Sequence, residues 1–307
     1  MSRPDTVSPQ PPAQQHRCGF CAVVGRPNVG KSTLLNRIVG DKVAIVSPRP
    51  QTTRNRLTGI KTTDDTQLIL VDTPGIHKAR GLMTGRMVAT ALRSLRETDV
   101  VLLVVDASQG LRPEDEDVAA LSAQAGTEIV VALNKMDRVK KEALLPLIQR
   151  VADLLPGREI VPVSALTGEN VGDLLDTILS RLPAGPALFP ADEVTEQTER
   201  FLAQEMIREK LLLHTRDEVP YNTAVLVESF EEKPDRGLIV IRATIYVERP
   251  SQKPIVIGER GARIKEIGRS ARLEMEAFFG AKVYVELFVK VRKGWSKDAR
   301  VLAELGI

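Results

Sequence analysis

Aromatic residues make up only 4% of this 307-residue chain, with a single tryptophan. Cysteine occurs twice, at Cys18 and Cys21, and histidine three times, at His16, His77 and His214. Two cysteines exclude the disulfide framework that staples small secreted domains. They also leave a C-x-x-C pair without the second pair that a structural zinc site, with about four ligands, requires. The pair opens the apolar run Phe20–Val24. There it reads as two small apolar residues of a strand, three positions apart and so on opposite faces. Long hydrophobic runs are missing as well. The longest, such as Val100–Val105, fall far short of the roughly 20 apolar residues that span a bilayer. Residues 1–17 are rich in Pro, Gln and Ser and lack the apolar stretch of a signal peptide. They read as a disordered tail. With no export signal, the expected location is the cytoplasm.

What is present divides the chain in two. From residue 18 to 182, apolar strands alternate with amphipathic helices. The strands are Phe20–Val24, Gln67–Val71, Val100–Asp106, Glu128–Asn134 and Glu159–Val163. This alternation predicts an α/β domain with a mainly parallel sheet and helices on both faces. Ligands of such sheets bind at the carboxyl ends of the strands. Residues 183–195, with Pro183, Gly185, Pro186 and Pro190, form a linker. Residues 196–307 then predict a smaller α+β domain: a helix over Glu196–His214, strands over Tyr221–Phe230 and Leu238–Glu248, a helix over Ala262–Phe279, a strand over Lys282–Val291 and a short helix over Lys297–Leu305.

The motifs of the first region all fall at strand ends. Gly25-Arg26-Pro27-Asn28-Val29-Gly30-Lys31-Ser32 fits G-x-x-x-x-G-K-S/T between a strand and the helical run Thr33–Val39. The glycines let backbone N–H groups wrap phosphate, Lys31 reaches the β- and γ-phosphates and the Ser32 hydroxyl ligates Mg²⁺. Asp72-Thr73-Pro74-Gly75 places an acid at a strand end for Mg²⁺ and a Gly75 N–H for the γ-phosphate. In Asn134-Lys135-Met136-Asp137, the Asp137 carboxylate can accept two hydrogen bonds from guanine, which adenine does not offer. Ser164-Ala165-Leu166 offers a backbone N–H to the guanine oxygen.

With Gln51-Thr52-Thr53-Arg54 between them, these elements resemble the five signatures of translation-factor-class GTPases. The resemblance implies that a threonine of that segment ligates Mg²⁺ in the GTP state; Thr53 is slightly favoured over Thr52. Ile76 stands where Ras-like GTPases carry the glutamine that orients the attacking water. Turnover is therefore expected to be slow unless K⁺, RNA or the ribosome supplies what is missing. By resemblance, Asn28 holds that K⁺; as a plain turn residue it is equally well accounted for. The expected catalytic set is Lys31, Thr53, Gly75 and Asn28.

The second region carries the chain's excess of positive charge. Ser251–Arg300 holds twelve basic and six acidic residues, against 31 basic and 34 acidic elsewhere. Such a stretch suits a phosphate-binding face. Within it Ile257-Gly258-Glu259-Arg260-Gly261 contains G-x-x-G ahead of a helix; taken alone this reads as an ordinary helix-start turn, and the basic surroundings favour instead the loop that clamps a nucleic-acid backbone in KH domains. Arg263 and Lys265 follow it. Lys290 and Lys293 precede Trp295, which is either a base-stacking platform or a core anchor. The element order resembles a type II KH domain, and almost the whole chain, from about Gly19 to Ile307, resembles the Era family of GTPases. That resemblance implies binding of 16S ribosomal RNA near its 3′ end, a part in assembling the 30S subunit and a monomeric state. It also implies peripheral contact with the inner face of the membrane. Glu259 departs from the expected loop, because a carboxylate repels phosphate. Two other readings stay open: an RNA-binding protein whose G domain barely turns over, and a GTPase whose basic domain meets protein or an anionic membrane.

Overall fold

The computed structural model describes residues 16–49, 52–76 and 81–307. Residues 1–15 of the expected tail, Gln51 and His77 lie outside them. The first unit runs β1 (Arg17–Val24), α1 (Lys31–Val39), β2 (Leu57–Thr62), β3 (Thr66–Asp72), α2 (Leu82–Arg96), β4 (Val100–Asp106), α3 (Pro113–Gln124), β5 (Glu128–Asn134), α4 (Lys141–Leu154), β6 (Glu159–Pro162) and α5 (Val171–Leu179). Its sheet has the order β2-β3-β1-β4-β5-β6, parallel throughout except for β2, which pairs antiparallel with β3. Strands covered on both faces read as unbroken apolar runs, and all seven residues of β4 are buried. Alternation divides them between two cores. Val100, Leu102 and Val104 face α1 and α5, whereas Val101, Leu103 and Val105 face α2, α3 and α4.

The second unit runs α6 (Glu199–His214), β7 (Thr223–Lys233), β8 (Leu238–Val247), α7 (Gln252–Ile257), α8 (Ala262–Phe279), β9 (Lys282–Val291) and α9 (Ala299–Glu304). Its three strands, β7-β8-β9, pair antiparallel and then parallel. The apolar stripes of α6 and α8 cover one face, with Ile207, Leu211, Ile267, Ala271 and Met275 in one core with Val225, Ile241 and Ile245.

Three differences from the sequence reading have local causes. Arg17 belongs to β1 rather than to a tail: it pairs with Thr66 of β3, and its guanidinium donates to Leu182 O at 2.7 Å. The linker, whose contacts the sequence did not show, is pinned to the first unit. Gln67 Oε1 accepts from the N–H groups of Leu188 (2.7 Å) and Phe189 (2.9 Å), and Ile60 N donates to Val194 O at 2.8 Å. The last bond covers part of the open edge at β2. β2 itself was not expected, because Gly59 and Lys61 interrupt its apolar pattern. Both cysteines are buried in β1, and burial pushes the Cys21 thiol up to about 12.

Candidate nucleotide and RNA sites

α1 begins at Lys31, two residues earlier than the apolar pattern suggests. Lys31, Ser32 and Thr33 therefore form its first turn, whose N–H groups lack intrahelical partners and face any anion seated there. The Lys31 ammonium lies inside the loop, donating to Gly25 O and Arg26 O at 3.1 Å each. Burial pushes its pKa down to about 8, against the pull of Asp72. Arg26 does not face this cavity: its Nε donates to Asp115 Oδ2 at 3.2 Å and ties the loop to the start of α3. Val29 is packed in the core. Asn28 has a left-handed φ of 65° and donates from Nδ2 to Pro48 O at 3.0 Å. Ile45, Val46 and Ser47 close over the same cavity, alongside Pro27, Gly30, Thr33 and Thr53.

Three oxygens converge beside Lys31. Ser32 Oγ is 2.7 Å from Asp72 Oδ2 and 3.0 Å from Thr53 Oγ1, and Thr53 Oγ1 is 2.9 Å from Asp72 Oδ2. The other carboxylate oxygen of Asp72 is buried with no hydrogen-bond partner among the described residues. Burial raises the Asp72 pKa, against Lys31 and the two hydroxyls. Two hydroxyls and a buried carboxylate with an unused oxygen fit a hard cation such as Mg²⁺. Thr52 points elsewhere, donating from Oγ1 to Arg49 O at 2.7 Å. Thr73 Oγ1 donates to Val23 O at 2.8 Å, and Pro74 is buried. Gly75 packs so closely that a Cβ there would lie 2.9 Å from Pro27 N, so no other residue fits without displacing the phosphate loop. Ile76 N donates to Gly25 O at 3.3 Å, and its side chain lies in the core with Ala22 and Val24.

On the base side, Asn134 Nδ2 donates to Val29 O at 2.8 Å and Asn134 Oδ1 accepts from Ala165 N at 2.9 Å. The asparagine thus joins three loops. That bond engages the Ala165 N–H, one of the three backbone N–H groups of the Ser164-Ala165-Leu166 segment from which the sequence offers a donor to guanine. Asp137 Oδ1 accepts from Ser164 Oγ at 2.6 Å. Lys135, at φ 66°, donates to Asn28 O and to Asp106 Oδ2, both at 2.7 Å. Met136 packs beside the second core, and Leu166 is exposed. Sequence reasoning missed Asp106 and Arg37. Burial opposes the Asp106 charge, but the hydrogen bonds from Lys135 and Ser108 outweigh it and hold the carboxyl below its usual range. Its signal was an acid at the carboxyl end of a central strand. Arg37 of α1 donates to Ala165 O and Leu166 O.

In the second unit, Gly258, Arg260 and Gly261 all adopt left-handed φ, of 77°, 49° and 79°. A Cβ on Gly258 would meet the Arg263 backbone at 2.8 Å. Glu259 and Arg260 are exposed, and Ile257 is half-buried. Beside the loop a groove of about 610 Å³ runs between α8 and β9. Ile264, Gly268 and Leu287 give it an apolar floor, with Lys265, Arg269 and Arg272 above. These three cations recur at helical spacing on one face. Tyr284, on its rim, is 52% exposed and Phe288 of the same strand 48%. Trp295 is not part of this face, which corrects its reading as a base platform. It is 0% exposed, packed with Met83 and Met87 of α2, and its Nε1 donates to Asn222 O at 3.3 Å. Lys290 pairs with Glu228 at 3.2 Å, and Lys293 is exposed.

The chain between α1 and β2 touches both units. Lys42 Nζ lies 2.7 Å from Glu209 of α6 and 2.6 Å from Glu274 of α8. Arg49 donates to Thr215 O at 3.0 Å, and Arg208 donates to Thr52 O. Arg54 donates to Thr223 O, Pro220 O and Tyr221 O at 2.7, 3.2 and 3.3 Å and lies over the Trp295 ring at 5.8 Å.

Comparisons with known proteins identify the family and the fold. A family model described as 50S ribosome-binding GTPase matches residues 20–135, and one described as KH domain matches residues 218–296. The chain is 51% identical over 290 residues to the GTPase Era of Syntrophus aciditrophicus, covering 94% of this chain and 95% of that one. It is 50% identical to that of Geobacter metallireducens, with 94% and 97% covered. Among solved structures, an Aquifex aeolicus Era variant bound to GDP·AlF4⁻ superposes with a TM-score of 0.92 at 41% identity, covering 94% of this chain and 99% of that one. Era in complex with MgGDPNP and nucleotides 1506–1542 of 16S ribosomal RNA gives the same TM-score and identity, with 95% and 99% covered. Among the described residues, no helix is long and apolar enough to cross a membrane.

Proposed function

The chain belongs to the Era family of GTPases, and from that premise we propose that it is a GTP-hydrolysing switch that binds 16S ribosomal RNA near its 3′ end and assists assembly of the 30S subunit. One observation carries the link between the two activities. Thr53, which meets Ser32 and Asp72, sits between Thr52 and Arg54, and both of these neighbours bond to the second unit.

In this reading the first turn of α1 and Lys31 hold the phosphates, while Ser32, Thr53 and Asp72 hold Mg²⁺. When bound, the ion neutralises charge that develops on the phosphate oxygens. Asp137 reads guanine, Lys135 lies along the base and Asn134 keeps the loops in register. Ile76 orients no water, because its side chain is in the core. Asn28 and Pro48 O meet at the mouth of the site, an amide and a carbonyl of the kind that K⁺ accepts as ligands. Intrinsic turnover is therefore slow. K⁺ and the RNA are expected to raise single-turnover hydrolysis, and Asn28→Ala is expected to remove the K⁺ response alone. Equal rates with K⁺ and Na⁺ would reject the role of Asn28; no hydrolysis under any condition would leave a nucleotide-binding protein that is not an enzyme.

The RNA lies along the α8–β9 groove, with its backbone over the Gly258–Gly261 loop. Replacing Glu259 and Arg260 together by aspartate is expected to weaken RNA binding about 10- to 100-fold, since one charge-assisted contact becomes a repulsion. The loop is exposed, so the fold survives. Unchanged affinity in a filter-binding assay would move the binding face elsewhere. In this reading the work is done in the cytoplasm, by a monomer. The same basic face is the one that the inner surface of a membrane would meet.

A further inference from the structure

A second cavity, of about 450 Å³, lies at the start of α8, away from the RNA groove. Leu213 and His214 close one side of it, at the end of α6, and Ile255 of α7 closes another. Arg216 and Arg263 face it, with Asp217 and Glu218 beside them. Arg263 and Lys265 are two residues apart on α8, so at about 100° per residue they point to opposite sides of its first turn. Lys265 lines the RNA groove and Arg263 the second cavity. An RNA strand that leaves the groove across the Gly258–Gly261 loop therefore runs toward the second cavity. Arg263 is fixed in the wall, donating to Ile255 O. Arg216 is exposed, and its guanidinium has no hydrogen bond or ion pair among the described residues. Leu213 and Ile255 are 49% and 39% exposed, an apolar surface left uncovered.

We propose that this cavity is a second RNA subsite, which takes the nucleotide that follows the groove-bound ones across the glycine loop. The inference rests on the RNA-binding reading above. Arg216 and Arg263 hold the phosphate, and Leu213 and Ile255 lie under the base. Asp217 and Glu218 would repel a bare anion, so the occupant is a nucleotide rather than free phosphate. They accept hydrogen bonds from an exocyclic amine, which adenine, cytosine and guanine carry and uracil lacks. The turn that carries Arg216 is fastened to the chain between α1 and β2 by the bond from Arg49 to Thr215 O. The same stretch of chain carries Thr53, so the switch proposed above bears on this subsite through it.

The test uses full-length protein with a GTP analogue and RNA fragments trimmed one nucleotide at a time from either end of nucleotides 1506–1542 of 16S ribosomal RNA. Affinities are measured by fluorescence anisotropy at several salt concentrations. One added nucleotide on the loop side is expected to raise wild-type affinity about tenfold, the worth of one charge-assisted contact. Arg216→Ala is expected to lose that increment and to bind the shorter fragment as wild type does. Its salt slope is expected to fall by about 0.7 on the longer fragment only, as for one phosphate of a single strand. Uridine at the added position is expected to give the smallest increment. An Arg216→Ala protein that keeps the full increment and slope overturns the subsite. Wild-type protein that binds none of the fragments overturns the RNA reading and the subsite with it.

Discussion

Asp137→Asn is expected to exchange guanine for xanthine as the preferred base, with a loss of GTP affinity on the order of 10⁴, the size by which sites built to pair polar groups reject mismatched ones. The Asp137 carboxylate has one oxygen engaged by Ser164 Oγ at 2.6 Å. An asparagine oxygen accepts that bond as well, so the loop keeps its shape. The other oxygen becomes an N–H₂ donor aimed at the guanine N–H groups, leaving donors facing donors in a site partly closed to water. Xanthine presents a carbonyl in place of the amine, and the amide pairs with it. Isothermal titration of wild-type and variant protein with GTP and with xanthosine triphosphate measures both halves of the exchange. GTP affinity that does not change means that this carboxylate does not read the base. Asn134→Ala makes a useful contrast. It should weaken both nucleotides alike, because Asn134 bonds Val29 O and Ala165 N rather than the base in this geometry.

Where the sequence carries a local rule, the fold follows it closely. β4, β5, α8 and β9 run over the residues that their patterns predict. The two G-domain strands are buried on both faces, and α8 stops at Gly280, which takes the left-handed conformation that ends a helix. The candidate nucleotide site could be read from the sequence for the same reason. Its residues hang from strand ends, and a parallel sheet gathers strand ends along one edge. What failed were features made by packing between distant segments. Whether Trp295 is a platform or an anchor depends on Met83 and Met87, more than two hundred residues away in the chain. The groove needs Tyr284 and Leu287 of β9 opposite Lys265 and Arg269 of α8, and neither spacing is a motif. Thr52 and Thr53 are chemically alike, and only the path of the backbone separates them. β2 is held by its partner and by Val194 more than by its own propensity.

The contact between the two units turns that path into a prediction about coupling. Thr53 reaches Ser32 and Asp72, and its neighbours cannot move independently of it. Thr52 O accepts from Arg208, which is itself held in a buried pair with Glu205 at 2.5 Å. Arg54 is buried, and burial together with the nearby Arg208 disfavours its charge, while Glu205 offsets part of that. Three backbone carbonyls of the second unit and the Trp295 ring compensate it. A guanidinium in such a place tolerates little displacement, since losing those partners would leave a buried charge unpaired. In the function proposed above, the metal and the γ-phosphate would fix Thr53 beside Ser32 and Asp72, and hydrolysis would release it and unseat Thr52 and Arg54. With Thr53 in place, the groove residues Lys265, Arg269 and Tyr284 are exposed. GTP is therefore expected to raise RNA affinity about 5- to 150-fold over GDP, and RNA must raise GTP affinity by the same factor. Arg54→Met is expected to bring both ratios close to one while guanine specificity stays intact, because the Arg54 guanidinium bonds to the second unit and does not line the nucleotide cavity. Anisotropy with GDP and with a GTP analogue, at one salt concentration, measures the first ratio, and nucleotide titration with and without RNA measures the second. Equal RNA affinities in the wild-type protein would leave two binding units on a rigid tether. Full coupling in Arg54→Met would place the transmission at Arg49 or Lys42 instead.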